Sequence, residues 1–216
     1  VTLAGLRDAL DADFVGHESL HAEILRRVPR FGTDHPLPQA LAAELVDLLH
    51  RHLATKRSYR GGLYLPGYWS MSNHVAFGIL SGALPSGRRR GQAFTPGLTP
   101  SPLSGAALTA QIRAVAALDA RKLANNIAFN VKVVPGASDP SARTVDRMSG
   151  YVRAYTDLGG MQLQFNVVSS ETLRAALRDP DAYRDLLVRI SGYNAYFVEL
   201  NSDLQRELIE RMEHAL

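Results

Sequence analysis

The chain has 216 residues, 46% hydrophobic and 21% charged, with 17 glycines and 11 prolines, the composition of a globular protein large enough for one large domain or two small ones. Its 24 basic and 21 acidic residues leave a net charge of +3, which argues against an electrostatic nucleic-acid or membrane footprint. There is no cysteine, so disulfides, thiolate metal sites and a cysteine nucleophile are excluded within these residues.

Leu3, Leu6, Leu10 and Phe14, then Leu20, Ile24 and Leu25, follow a helical period that breaks near Gly16. The pattern begins at once, without a leader or a first strand, which suits a piece of a larger assembly as well as a free-standing protein. No secretory signal precedes it, and no apolar run reaches the about 18 residues that span a bilayer, so a cytoplasmic location is expected. Residues 29–38 form a turn-rich connector. Leu37, Leu41, Leu45, Leu48, Leu49 and Leu53 then predict a second amphipathic helix, whose period the leucines explain in full.

Residues 61–105 hold too many glycines and prolines for long helices beyond a short one near His74–Leu80. With Tyr64, Tyr68, Trp69 and Phe77 interleaved, they read as ordered loops packed on a core. Arg88-Arg89-Arg90 within this stretch reads as solvated surface or structural ion pairs, since no phosphate-cradling motif accompanies it.

A helix is expected over 106–124, and Ile127–Val134 reads as a buried strand stopped by Pro135-Gly136. A further helix is expected over about 140–157, ending at Gly159-Gly160. Met161, Leu163, Phe165 and Val167 then alternate with Gln162, Gln164, Asn166 and Val168. Amides in place of charges leave two readings open: a partly buried face looking into a cavity, or a strand with one solvated face. Ser169-Ser170 offers a cap for a short helix through Leu177. Asp179-Pro180 opens another, taken to end near Val188. Ser202-x-x-Gln205 reads as a capping box for a last helix with Leu204, Leu208, Ile209 and Met212 on one face. The alternation of elements predicts an α/β fold with mostly parallel strands, and no internal repeat or linker is evident.

His17-Glu18-Ser19-Leu20-His21 matches H-E-x-x-H, in which two histidines one turn apart bind zinc and the glutamate acts as base. A third ligand is lacking: Glu44 lies in a helix already explained by its leucines. His17 follows Gly16 directly and so falls at a helix start, which favours a solvent-facing first turn. His50, His52, His74 and Glu44 have no spacing that demands a metal, and no metal site is assigned. Neither a G-x-S-x-G elbow nor a strand-to-helix G-x-G-x-x-G is present.

Gly192 remains. By itself it reads as a helix end or tight turn. Its setting, Val188-Arg189-Ile190-Ser191-Gly192-Tyr193, closely resembles R-V-[SAG]-G-Y, the signature of the glycyl radical enzymes of the pyruvate formate-lyase family. Ile190 in place of valine is the one change. Phe31-Gly32-Thr33-Asp34, the loop from Gly82 to Arg88, Gly97-Leu98-Thr99-Pro100, Ala117-Leu118-Asp119 and Asn130–Pro135 resemble family segments in the expected order. So does Gly160-Met161-Gln162 through Asn166-Val167-Val168 to Glu171-Thr172-Leu173.

The resemblance implies that Gly192 carries the radical, supported by Arg189, Ile190, Ser191 and Tyr193. Removal of an α-hydrogen leaves a planar carbon delocalised over both flanking amides, an arrangement that a Cβ would crowd. Burial from water and dioxygen is expected from the apolar neighbours Ile190, Tyr193, Tyr196 and Phe197. The resemblance also implies the C-terminal part of a ten-stranded α/β barrel with a glycine radical loop and helix. Residues 1–90 would close the barrel domain and 91–216 form the radical domain. No cofactor would be bound permanently; a separate activase dependent on S-adenosylmethionine and an iron–sulfur cluster would install the radical. Asn166 and Val168 are candidate pocket-wall residues toward a small-molecule substrate. Family members act as lyases, dehydratases or formate acyltransferases in anaerobic metabolism.

The family's catalytic cysteine has no counterpart in a chain without cysteine. Three readings follow: a radical-bearing subunit completed by a larger Cys-bearing chain, a spare part that repairs a damaged full-length enzyme, or a non-catalytic binding subunit. The first is preferred because the resemblance extends far upstream of the radical loop. It predicts an obligate complex with a large apolar interface.

Overall fold

The computed structural model describes residues 1–136 and 141–215. α1 (Leu3–Asp11) and α2 (Glu18–Arg27) meet across a turn in which Gly16 takes φ +76°. They close on each other through Ala9, Phe14 and Ile24, with Ala83 from a later loop. Of the three arginines of that loop, Arg88 ties the loop to itself and Arg89 and Arg90 tie it to the α1–α2 connection. Arg88 is buried, donates to the carbonyls of Gly78, Gly82 and Gln92, and lies 4.4 Å from the centroid of the Phe94 ring. Arg89 donates to the Asp13 carbonyl, and the Arg90 amide to the Asp13 carboxylate. Structural pairing thus replaces the solvated alternative.

α3 (Pro36–Ala54) forms where the leucine period places it, with His35 capping its first turn. Its contact side, however, is the opposite one. Ala42, Ala43 and Val46 pack on Leu118, Leu123 and Ile127, Gln39 donates to the Ala114 carbonyl, and Asp47 pairs with Lys122. Leu37, Leu41, Leu45, Leu48 and Leu49 face outward, Leu41 with 55% of its surface exposed.

The loops of 55–107 hold β1 (Gly67–Tyr68) and α4 (Asn73–Leu80). β1 pairs in parallel with β2 (Asn126–Ile127). α5 (Leu108–Ala116) is shorter than the 106–124 expected; the rest becomes a 3-10 turn, Ala120–Leu123, capped by Asp119. α6 (Ser141–Asp157) ends in Gly159 at φ +92°, as the paired glycines implied; Pro140, at the start of the expected helix, lies outside the described residues.

β3 (Phe129–Val134) is the centre of a parallel three-stranded sheet, between β4 (Leu163–Val167) and β7 (Glu213–Ala215). Register pairs Phe129 with Leu163, Asn130 with Gln164, Val131 with Phe165 and Lys132 with Asn166. Because side chains alternate across a sheet, the two faces differ in chemistry. The face of Phe129, Val131, Val133, Leu163 and Phe165 is packed by Leu108, Ile112 and Val115 of α5 and by Met148, Tyr151 and Tyr155 of α6. The other carries Asn130, Lys132, Gln164 and Asn166, all polar and all buried.

That polar face lies under α8 (Ser202–Glu210) and a hairpin of β5 (Leu187–Arg189) and β6 (Asn194–Tyr196). The segment before Gly192 is therefore a strand, not the end of a helix: after α7 (Ser170–Arg178), capped by Ser169, only a 3-10 turn, Pro180–Tyr183, intervenes. The cap of α8 is one residue earlier than the apparent capping box. Asn201 accepts from the Leu204 amide, and Gln205 donates instead to the Phe197 carbonyl. Among the described residues the strands form this sheet and two two-stranded pairs. The architecture is α/β, and these described strands do not close into a barrel.

Candidate functional site

The hairpin is anchored from below. Val188, Ile190 and Phe197 are fully buried with Leu173, Ala176, Leu204 and Leu208, and half-buried Tyr193 and Ala195 pack at the edge of this cluster. The Ile190 amide donates to the Tyr193 carbonyl at 2.9 Å, closing a turn that contains Ser191 and Gly192. Ser191 is buried, whereas Gly192 sits exposed at the tip with φ +86°. In that left-handed region glycine alone is at ease. A Cβ built there would meet nothing within 4 Å, so space does not demand glycine at this position.

From the side, the hairpin is held by the amide face of β4. Asn166 treats Arg189 as a neighbouring strand would: its Nδ2 donates to the Arg189 carbonyl at 2.6 Å and its Oδ1 accepts from the Arg189 amide at 2.8 Å. Gln164 Oε1 accepts twice, from Arg189 Nε and from the backbone N–H of Gly192, both at 3.0 Å. Arg189 reaches on to Asn194 Oδ1 at 3.1 Å. Gln164 and Asn166, 6% and 8% exposed, are buried because they serve a backbone that has no full strand partner of its own. The solvated-strand alternative for this face gives way to a buried grip on the hairpin.

A second layer stands behind. Arg211 donates to the Arg189 carbonyl at 3.2 Å and forms a two-pronged ion pair with Glu207, at 2.7 and 2.9 Å. Burial pushes the Glu207 carboxyl up, but the Arg211 charge and hydrogen bonding outweigh it and hold the group below its usual range. His74 of α4 brings Nε2 to 3.5 Å from the same carboxylate and Nδ1 to 3.1 Å from Ser70 Oγ. Lys132 caps the end of α8, donating to the Leu208 and Ile209 carbonyls and to Ser170 Oγ, and burial pushes its pKa down to about 8.

The hairpin lies inside the stretch matched by the family model for the glycine radical, residues 94–198. The chain belongs to the glycyl radical enzymes. A family model described as pyruvate formate lyase-like matches residues 1–78 of this chain. It is 30% identical to (2S)-3-sulfopropanediol dehydratase of Klebsiella oxytoca, over 97% of this chain and 26% of the relative. To isethionate sulfite-lyase of Bilophila wadsworthia it is 34% identical, over 99% of this chain and 26% of that enzyme. The B12-independent glycerol dehydratase of Clostridium butyricum superposes with a TM-score of 0.92 at 34% identity, covering all of this chain and 27% of that one. The chain thus spans about a quarter of the length of the relatives it matches.

The structure brings Arg189, Ile190, Ser191, Gly192 and Tyr193 into one turn. Asn166 reaches that turn, while Val168 is packed in the hydrophobic core beside Leu173. Burial of the neighbours differs from the expectation in one respect. Ile190 and Phe197 are enclosed as anchors, but Gly192 and Tyr196 are exposed within these residues. Gln164, Glu207 and Arg211 carry no motif; the signal for Gln164 was the amide alternation of β4. His21 bonds to the Gly87 carbonyl at 2.8 Å and its ring lies 4.4 Å from that of Phe14, a structural role on an interhelix contact. No group of three or more His, Cys, Asp or Glu able to hold a metal occurs among the described residues, nor does any helix there have the length and apolarity to cross a membrane.

Proposed function

We propose that Gly192 stores an organic radical for a lyase or dehydratase acting on a small hydroxylated or carboxylated compound, and that it passes the radical to a cysteine on a separate, larger polypeptide. A radical-SAM activase with an iron–sulfur cluster would generate the radical by taking one α-hydrogen. The single observation that carries this reading is the position of Gly192: at an exposed hairpin tip, with open space where a Cβ would stand, and held at its own N–H by Gln164. The relatives named as dehydratases and as a sulfite-lyase support the reaction class.

The second polypeptide is argued from surface. The leucine stripe of α3 is exposed, and so are Tyr59, Leu63, Leu65, Trp69 and Phe77, apolar groups of the kind that mark an interaction surface. The occupant we assign is polypeptide equivalent to the remainder of the matched relatives, bearing the cysteine that this chain lacks. Residues 1–90 then belong to the barrel side of that union and 91–216 to the radical side.

The test is coexpression of the chain with a candidate Cys-bearing polypeptide and activase, followed by anaerobic electron paramagnetic resonance. A doublet from one α-proton is expected in the wild-type complex and none in Gly192→Ala. Absence of the doublet in the wild-type complex, with the activase shown to be active on another substrate protein, would overturn the proposal.

A further inference from the structure

Glu207 and Arg211 are buried, 6% and 7% exposed, and stand one helical turn apart at the end of α8. Although burial opposes it, the Arg211 charge holds the Glu207 carboxyl below its usual range, so both groups are ionised. Taking two charges out of water costs about as much as their attraction returns, and buried pairs are often replaced by apolar residues without loss of stability. Stability alone therefore gives no reason for this pair. Its contacts do. Arg211 Nη1 reaches out of the pair to the Arg189 carbonyl, at 3.2 Å, while Nε and Nη2 stay on the carboxylate at 2.7 and 2.9 Å.

That carbonyl already has a partner. Asn166 Nδ2 lies 2.6 Å away, and Asn166 Oδ1 accepts from the amide of the same residue. What Arg211 adds is a second direction: Asn166 holds Arg189 from β4, and Arg211 holds it from the C-terminal end of α8. The guanidinium can serve as an anchor because it is not free to turn. Two of its nitrogens are bound to Glu207, and the Arg211 amide donates to the Glu207 carbonyl at 3.0 Å, closing the last turn of the helix. Glu207 itself makes no hydrogen bond to the hairpin among the described residues. Its carboxylate faces Arg211 and, at 3.5 Å, His74 Nε2 of α4.

We infer that Arg211 is a positioning residue for the hairpin that carries Gly192, aimed at the Arg189 carbonyl by Glu207, and that the pair is kept for this placement and not for stability. In purpose this rests on the storage role proposed above, since a stored radical has to stand in a fixed place before the group that takes it. Placement is nevertheless separable from storage: the hairpin is held or released in the chain whether or not a radical is formed.

The experiment compares Arg211→Met, Glu207→Gln and the double variant with wild type, by urea unfolding and by amide hydrogen exchange of the full chain. Arg211→Met leaves a buried carboxylate without its counter-charge and should lower the urea midpoint. Adding Glu207→Gln removes that charge, keeps an amide oxygen toward His74, and should bring the midpoint back to the wild-type value. Hairpin exchange should not come back with it. In the double variant the amides of Arg189, Ile190 and Gly192 should exchange about tenfold faster than in wild type, the scale of one lost hydrogen bond, while those of β3 keep their wild-type rates. Restored stability with a loosened hairpin is not what a purely structural pair produces. Hairpin rates equal to wild type in the double variant, or hairpin and β3 rates that rise together, would overturn the inference. Should the double variant fail to fold, Glu207→Gln alone decides. It removes no hydrogen bond to the hairpin, so hairpin amides that exchange faster than in wild type uphold the inference and unchanged ones overturn it. A wild-type complex without a doublet would end the storage role and leave these rates, and the placement they report, as they are.

Discussion

α3 and α8 carry the same leucine period and use it in opposite ways. Leu204 and Leu208 of α8 are buried beneath the hairpin, Leu208 with only 1% of its surface exposed. The five leucines of α3 from Leu37 to Leu49 are open to solvent, and the helix is held by its alanines and Val46. Periodicity places a helix because it follows from backbone geometry. Which stripe is covered depends on what lies opposite, and for α3 that surface is not supplied within the described residues. The hairpin half closes its own core; the α3 half presents one.

This contrast can be broken at several points. The largest effect is expected at Gly192→Ala, which should abolish the doublet completely while costing about 1 kcal/mol in stability, since a Cβ finds open space and only the positive φ opposes it. Urea denaturation of the same variant checks that the fold survives. Next in size is Leu208→Ala against Leu45→Ala. The first should destabilise the chain by about 2–5 kcal/mol, as a buried large-to-small change does, and the second by no more than about 0.5 kcal/mol. If the α3 face is an interface, Leu45→Glu should nevertheless prevent copurification with the Cys-bearing polypeptide, whereas a chain that binds equally well would contradict the assignment of that face.

Asn166→Ala should cost about 2 kcal/mol, from two bonds to the Arg189 backbone that are left unmade in a buried place. Hydrogen exchange at the Arg189 amide, rising more than at β3, would show that the loss is local to the hairpin. The smallest effect concerns pH. Lys132 titrates near 8 in the folded chain against an ordinary value of 10.5, so between these values the unfolded chain holds more protons. Stability should therefore rise as pH climbs from about 8 to about 10, and fall back as pH drops through 8, once the buried ammonium is formed. Thermal midpoints across that range, compared with Lys132→Met, check the sign: the rise should vanish in the variant.

Much of this arrangement was legible in the residues themselves. The breaks at Gly16 and Gly159, the Ser169 cap and the buried strand follow from local rules, although the run expected over 127–134 divides into Asn126–Ile127 and Phe129–Val134, which join different sheets. The setting of Gly192 was readable because its residues resemble a family signature, and the positive φ there favours that residue type. Other features were hidden for physical reasons. β7 has three residues, too few for any period, and exists only because β3 offers it an edge. The strand at 187–189 follows a helix-like run and is fixed by its partner at 194–196 and by the Asn166 amide, neither of which is local. Asn201 and Ser202 are both good caps, and it is Asn201 that accepts from the Leu204 amide. Gln164 and Asn166 state that their face is polar but not what it holds; the identity of the partner, a hairpin backbone, comes from 23 to 28 residues farther along the chain.

The most direct measurement is electron paramagnetic resonance on the activated complex prepared with glycine carrying carbon-13 at the α position. The expected result is a doublet that broadens with the label and disappears in Gly192→Ala. A signal that forms at full intensity in Gly192→Ala, or that is indifferent to the label, would contradict the assignment of the radical to Gly192.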